Sequence, residues 1–282
     1  LSTTVQGNLE KLRVRHQLDD SVVYTLVCGE QEVSLGDAVG QPIRLFFSGT
    51  IKCTHCGRLT RKSFAQGYCY PCFQRLAQCD SCIMAPEKCH FRQGTCREPE
   101  WATTHCLVPH IVYLANSSGL KVGITRATQI PTRWIDQGAV QAVPLFRVSE
   151  RRIAGLVESA LRHWVGDRTQ WQRMLMGNPE PIDMAAAAAA LKSQAAVLLG
   201  ELQEQEGIGC MEDLPVTETQ IRYPVLTYPA RIKSLNPEKT PVIEGTLLGM
   251  KGQYLILDSG CLNIRKYTAY QATITLSWKD TP

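Results

Sequence analysis

The chain has 282 residues, 44% hydrophobic and 20% charged, with a formal net charge of +4. This is ordinary globular composition, which excludes a largely disordered or collagen-like chain, and the length suffices for two domains. No run of 18 apolar residues occurs, since 185–199 is broken by Lys192, Ser193 and Gln194, and no continuous apolar stretch marks the N-terminus. The expectation is therefore a cytoplasmic protein with no membrane span.

In chain order, 22–27 (Val-Val-Tyr-Thr-Leu-Val) and 42–47 (Pro-Ile-Arg-Leu-Phe-Phe) read as strands, being rich in branched and aromatic residues. Residues 53–106 are cysteine-rich with little periodicity, as expected where metal replaces a hydrophobic core. A compact α/β unit follows. Residues 110–115 form a strand, Asn116-Ser117-Ser118-Gly119 a turn, and 120–125 a second strand. A helix over 131–137 carries Pro in its first turn and ends before Gly138. Residues 143–148 give a third strand, and Ser149 caps a helix over about 150–165. Residues 184–206 form an alanine-rich helix that stops at Gly207, read as a spacer or packing arm. From Tyr223 onward the pattern returns to short strands.

The fold class expected is α+β: a Cys-rich zinc-ribbon-like segment, a β-β-α-β-α unit, an Ala-rich helix and a small terminal β-sheet or barrel. The corresponding boundaries are 1–50, 51–107, 108–180, 181–220 and 221–282. Neither terminal β segment makes a comfortable core alone, so the two are expected to pack together.

Nine of the twelve cysteines lie between Cys53 and Cys106. In a long chain this spacing points to reduced thiolates on metal rather than to a disulfide scaffold. Cys53-Thr-His-Cys56 and Cys69-Tyr-Pro-Cys72 are two C-x-x-C knuckles twelve residues apart. Each knuckle places two thiolates on one ion, which suits tetrahedral structural zinc. A second zinc is expected among Cys79, Cys82, Cys89, Cys96 and Cys106. The Cys79–Cys82 knuckle would supply two ligands and the later cysteines the rest, with His90, His105 and His110 nearby.

The stretch His110-Ile-Val-Tyr113-Leu, then Leu120-Lys-Val-Gly123-Ile-Thr, then Arg133 and Glu158 resembles the GIY-YIG nuclease superfamily over roughly residues 109–170. By that resemblance Tyr113, Gly123, Arg133 and Glu158 are the catalytic set. Glu158 would bind Mg²⁺ or Mn²⁺, Arg133 would contact the scissile phosphate, and Tyr113 would help activate water. Two positions depart from the pattern: Ile111-Val112-Tyr113 stands for Gly-Ile-Tyr, and Val122 replaces the second Tyr. The phrases QGYCYPC, GTCREPEW, YLANSSGLKVGITR, RWIDQGA and GQYLI make nearly the whole chain similar to an uncharacterised bacterial family.

The residues leave simpler readings open. Glu158 and Arg162 have the spacing of a helix ion pair, and Tyr113 alternates with apolar neighbours like a core tyrosine.

Charge is uneven along the chain. Residues 44–98 carry nine basic and three acidic side chains and 105–175 carry nine and four, whereas 176–220 carry one and eight. A nucleic-acid partner, DNA or RNA, suits the basic block. Lys121, Arg126, Arg147, Arg151 and Arg152 are the expected backbone contacts. Arg151 and Arg152 oppose the dipole at a helix start, which favours an anion nearby. Phe64, Tyr68, Tyr70, Phe73, Trp101 and Trp134 are candidates for base stacking. Three functional readings follow, in order: a zinc-stabilised nucleic-acid-binding protein on a GIY-YIG-like core, an active divalent-metal-dependent nuclease, and a metal- or redox-responsive cysteine protein.

Overall fold

A computed structural model describes residues 2–278. The chain is mixed α+β and divides into two compact units, one of Leu1–Gln74, Gln172–Gly177 and Ile221–Pro282, the other of Arg75–Trp171 and Asn178–Gln220.

The first unit interleaves the two ends of the chain in one antiparallel sheet. Its strand order is Ser2–Asn8, Tyr270–Ser277, Pro42–Lys52, Val242–Lys251, Tyr254–Leu257, Gly260–Asn263. Leu45 faces Ile274 on one side and Ile243 on the other. Along Tyr270–Ser277 every second residue is buried, so Tyr270, Ala272, Ile274 and Leu276 line one face. This is the alternation of a strand with one face on a core. The expected strand at 42–47 continues to Lys52 and delivers the chain directly into Cys53. A smaller sheet of Arg13–His16, Val22–Cys28 and Gln31–Ser34 completes the unit.

The second unit is built on an antiparallel sheet ordered Met211–Asp213, Gln141–Val148, His110–Asn116, Leu120–Arg126. His110–Asn116 is the central strand, paired on both edges, and is buried along its whole length. Thr132–Asp136 is a short helix, and Arg151–Leu161 is a longer one whose Ile153, Ala154, Val157 and Leu161 enter the core. The last helix ends four residues before the expected 165. Its N-cap is Glu150, without a side-chain cap, rather than Ser149. The Arg151 N–H is satisfied instead by the Cys106 carbonyl at 2.7 Å.

The alanine-rich segment is the helix Met184–Glu206, capped by Asp183, which accepts from the Ala186 N–H at 2.9 Å. By length and composition it is long and apolar enough to cross a membrane. Met184, Ala188, Leu191, Ala195, Leu199 and Leu202 recur at helical spacing and pack with Val143, Leu145, Val157 and Leu161. The segment read from sequence as a spacer or packing arm is thus part of this unit's core. At its end Glu206 pairs with Arg152 at 2.5 Å and with Arg92 at 2.9 Å, and Arg92 also reaches Glu150 at 3.0 Å.

Candidate functional site

Cys53, Cys56, Cys69 and Cys72 present sulfur atoms that all lie within 4.8 Å of one another, and the Cys56 and Cys69 sulfurs are 3.7 Å apart. Four thiolates at about 2.3 Å from one tetrahedral zinc would sit about 3.8 Å from each other, so the donor set fits a single ion. Local backbone builds this cage. The Cys53 carbonyl accepts from the Gly57 N–H at 2.9 Å, and Gly57 takes a left-handed φ of 69°, which turns the first knuckle back on itself. Cys72 enters from the helix Tyr70–Arg75.

Burial pushes the Cys53 thiol up. Hydrogen bonds from the Cys56, Cys69 and His55 main chain and the Cys56 side chain outweigh it and hold the thiol down at about 6. Burial, then hydrogen bonding by the other three cysteines, lifts Cys72 to about 12. Four thiolates on one tetrahedral ion would leave no open coordination position, which suits a structural role.

The later cysteines are arranged differently. Asp80, Cys82 and His90 bring ligand atoms within 4.8 Å of one another and can hold a metal ion. Asp80, however, is already engaged: one carboxylate oxygen accepts from the Ser81 N–H at 2.6 Å, and the other meets Arg97 at 2.8 Å and His90 at 3.3 Å. Cys82, Cys89, Cys96 and Cys106 are half-buried, and Cys79 is buried. The Cys82 thiol is pushed up to about 11 by burial, then by Asp80, Cys89, Cys106 and Cys96 around it.

The third constellation lies in the sheet of the second unit. Tyr113 on His110–Asn116 stands opposite Gly123 on Leu120–Arg126. A Cβ at position 123 would fall 2.6 Å from the Tyr113 hydroxyl, so glycine makes the room that the phenol occupies. The hydroxyl donates to Gln137 Oε1 at 2.8 Å. Lys121 lies two residues before Gly123, hence on the same face of the strand. Its Nζ donates to that same Gln137 oxygen at 2.6 Å.

Electrostatics joins the rest of the set. Burial raises the Tyr113 pKa, while the charge of Arg133 and a hydrogen bond from its side chain lower it. Lys121 is brought down to about 7 by burial and then by Arg133, against the pull of Glu158 and Asp167. Burial raises Glu158; Arg162 lowers it, Asp167 raises it, and Arg133 and Arg151 lower it. Tyr113, Gly123, Lys121 and Gln137 are in direct contact, and Arg133 and Glu158 act on Tyr113 and Lys121 through their charge. Arg162 makes its ion pair with Asp167 at 3.1 Å, and among the described residues no ion pair within 4.0 Å joins it to Glu158. Tyr113 is nevertheless wholly buried and Lys121 is 3% exposed, so the centre of the group is closed.

Gln137 and Asp167 were not singled out from sequence: Gln137 read only as the last residue of the 131–137 helix, which ends at Asp136, and Asp167 lies outside regular elements. Lys121 was singled out as a flanking backbone contact. The alternation along its strand was the signal that it belongs inside.

Of the five basic residues expected on a nucleic-acid surface, Arg147 is exposed and Arg126 half-buried. Lys121 is spent on Gln137, Arg151 donates to the Ile83 carbonyl at 2.7 Å, and Arg152 pairs with Glu206. Among the stacking candidates Tyr70 is half-exposed, whereas Trp134 is buried and packs edge-on against Tyr113 at 5.9 Å.

No curated protein and no solved structure matches the chain. A family model described as "Protein of unknown function (DUF2797)" matches residues 40–272. That span contains the tight cysteine centre, the later cysteines and the whole Tyr113–Glu158 group, and the chain belongs to this family.

Proposed function

We propose that the chain acts on nucleic acid and that its α/β unit is a single-metal phosphodiesterase centre of GIY-YIG type. The observation that carries this reading is the gathering of Glu158, Arg133, Lys121 and Tyr113 around a glycine that makes room for the phenol. A scaffold helix would have been served by a Glu158–Arg162 pair, and Arg162 is committed to Asp167 instead.

The charge of Asp167 adds to the cost of ionising Glu158, which a divalent cation between them would relieve. Such an ion, Mg²⁺ or Mn²⁺, supplies charge neutralisation on the phosphate and its leaving oxygen. Arg133 offers a charge-assisted contact to the non-bridging phosphate oxygens. Lys121, held near neutrality, can accept a proton from an attacking water as the new P–O bond forms and the ester P–O bond breaks. Tyr113 orients that water through its hydroxyl. Opening of the Gln137 contact is required before substrate reaches either group.

A second reading, a nucleic-acid-binding protein with a catalytically silent core, is favoured by the complete burial of Tyr113. The test is divalent-ion-dependent cleavage of labelled single- and double-stranded DNA and RNA by wild type and Glu158→Gln, with binding measured in parallel. The expected result is a loss of cleavage of about a hundredfold or more with binding retained. Salt-sensitive binding without cleavage under any divalent ion would establish the silent reading instead.

A further inference from the structure

We propose that Cys82, Cys89, Cys96 and Cys106 ligate an iron–sulfur cluster of the [4Fe–4S] class at the start of the helix Arg151–Leu161. The main chain brings the four together. Arg151 takes hold of two of their segments, through its main-chain N–H to the Cys106 carbonyl at 2.7 Å and through Nη2 to the carbonyl of Ile83, the neighbour of Cys82, at 2.7 Å. Cys89 caps the short turn Pro86–Lys88. That turn lies so close to the same helix that a Cβ on Gly155 would fall 2.6 Å from the Glu87 nitrogen. His90 Nδ1 and Thr95 Oγ1 are 2.8 Å apart, closing the loop that carries Cys89 and Cys96 on its two arms.

The spacing separates this group from a zinc centre. Among the described residues, no three of these four sulfurs lie within 4.8 Å of one another, whereas Cys53, Cys56, Cys69 and Cys72 all do. One zinc ion draws four sulfurs to about 3.8 Å. A cubane binds each thiolate to a different iron and so needs a wider cage. The thiolates also sit on turns separated by six, six and nine residues rather than on a pair of knuckles.

Charge supplies the independent sign of a ligand. Arg151 Nε is buried and finds no hydrogen-bond partner among the described residues. Cys106 and Cys82 are its thiol neighbours. A buried guanidinium N–H left unmatched beside neutral thiols is costly. Beside an anionic cluster, whose sulfurs accept hydrogen bonds, it is matched. The competing mononuclear set of Asp80, Cys82 and His90 would place a cation against Arg97 and on a carboxylate already taken.

The experiment is to isolate the full chain without oxygen, from cells supplied with iron, and to measure metal, acid-labile sulfide and the EPR spectrum after dithionite reduction. The expected content is about four iron and four sulfide per chain with one zinc, and a visible absorbance that reduction bleaches. Cys82→Ser, Cys89→Ser, Cys96→Ser and Cys106→Ser should each lower iron at least about fivefold while zinc and helix content hold. Cys53→Ser and Cys79→Ser should keep the iron. A wild-type chain isolated in this way with two zinc ions and no iron would overturn the proposal, and so would iron loss in Cys79→Ser equal to that in Cys82→Ser. The wild-type spectrum decides the cluster class even if a variant fails to fold.

Discussion

The two cysteine groups of this chain are made of the same ligand but of different backbone. Cys53, Cys56, Cys69 and Cys72 come in two C-x-x-C knuckles, and local turns alone bring their sulfurs to the distance one ion demands. Cys82, Cys89, Cys96 and Cys106 come from four separate segments, and the packing of Arg151 and Gly155 against the turns near Cys82, Cys89 and Cys106 positions them. The tight group is a property of about twenty residues. The wide group is a property of a whole unit, and for that reason it sits among other charged groups.

The largest expected effect separates the two. Cys53→Ser or Cys72→Ser should release one zinc and unfold the first unit, because structural zinc contributes on the order of 10 kcal/mol of folding free energy. Zinc analysis together with loss of strand signal in circular dichroism checks this. Equal zinc content in Cys53→Ser and wild type would mean that the tight group is not a zinc centre. The wide group should respond to packing. Gly155→Ala drives a methyl into the Glu87 nitrogen and Pro86, and overpacking of this kind costs about 1–3 kcal/mol. Urea unfolding should show the loss in the second unit, with first-unit zinc unchanged.

The same contrast explains what the sequence made legible. Knuckles are short, so the tight centre could be read directly from Cys53-Thr-His-Cys56 and Cys69-Tyr-Pro-Cys72. Strand pairing is nearly as local, and Tyr113 with Gly123 followed from two adjacent strands joined by a turn. The interleaving of chain ends followed from size, since neither end could bury a core by itself. Long-range polar pairing was not legible. Nothing near Arg152 in sequence announces Glu206, and nothing near Arg151 announces the Ile83 carbonyl, so both arginines read as anion contacts. The alanine-rich helix read as an arm because Ala and Leu surround it on all sides. Only the packed partners reveal which stripe is inside.

Gly123→Ala probes the group proposed as catalytic. Its methyl meets one buried side chain, the Tyr113 hydroxyl at 2.6 Å and ring carbons at 2.7 and 3.0 Å, rather than main chain. The expected outcome is cleavage reduced about tenfold or more by displacement of the phenol, with stability lowered by about 1–3 kcal/mol. Cleavage kinetics and urea midpoints on one preparation distinguish the two effects.

The last effect concerns pH in the first unit. Lys251 is fully buried, with Nζ donating to the Gly177 carbonyl at 2.9 Å and lying 5.1 Å from the Tyr228 ring, and burial brings it down to about 7. The unfolded chain holds this proton up to its ordinary value near 10.5, so the unfolded state binds more protons between about 7 and 10.5. The stability Lys251 contributes is present above that window and is lost as pH falls through 7. The first unit should therefore gain stability from pH 7 to 9, at a slope of at most about 1.4 kcal/mol per pH unit, and Lys251→Met should flatten that slope. Denaturant midpoints across this range measure it.

The central claim is that Glu158 is a cation ligand and not a helix-surface carboxylate. Titration of Mn²⁺ into the full chain, with its cysteine centres filled, followed by EPR of the unbound ion, tests it without a substrate. The account predicts one Mn²⁺ site, competed by Mg²⁺ and weakened about tenfold or more in Glu158→Gln while zinc and iron contents stay constant. Identical Mn²⁺ binding in wild type and Glu158→Gln, or no binding in either, would contradict it.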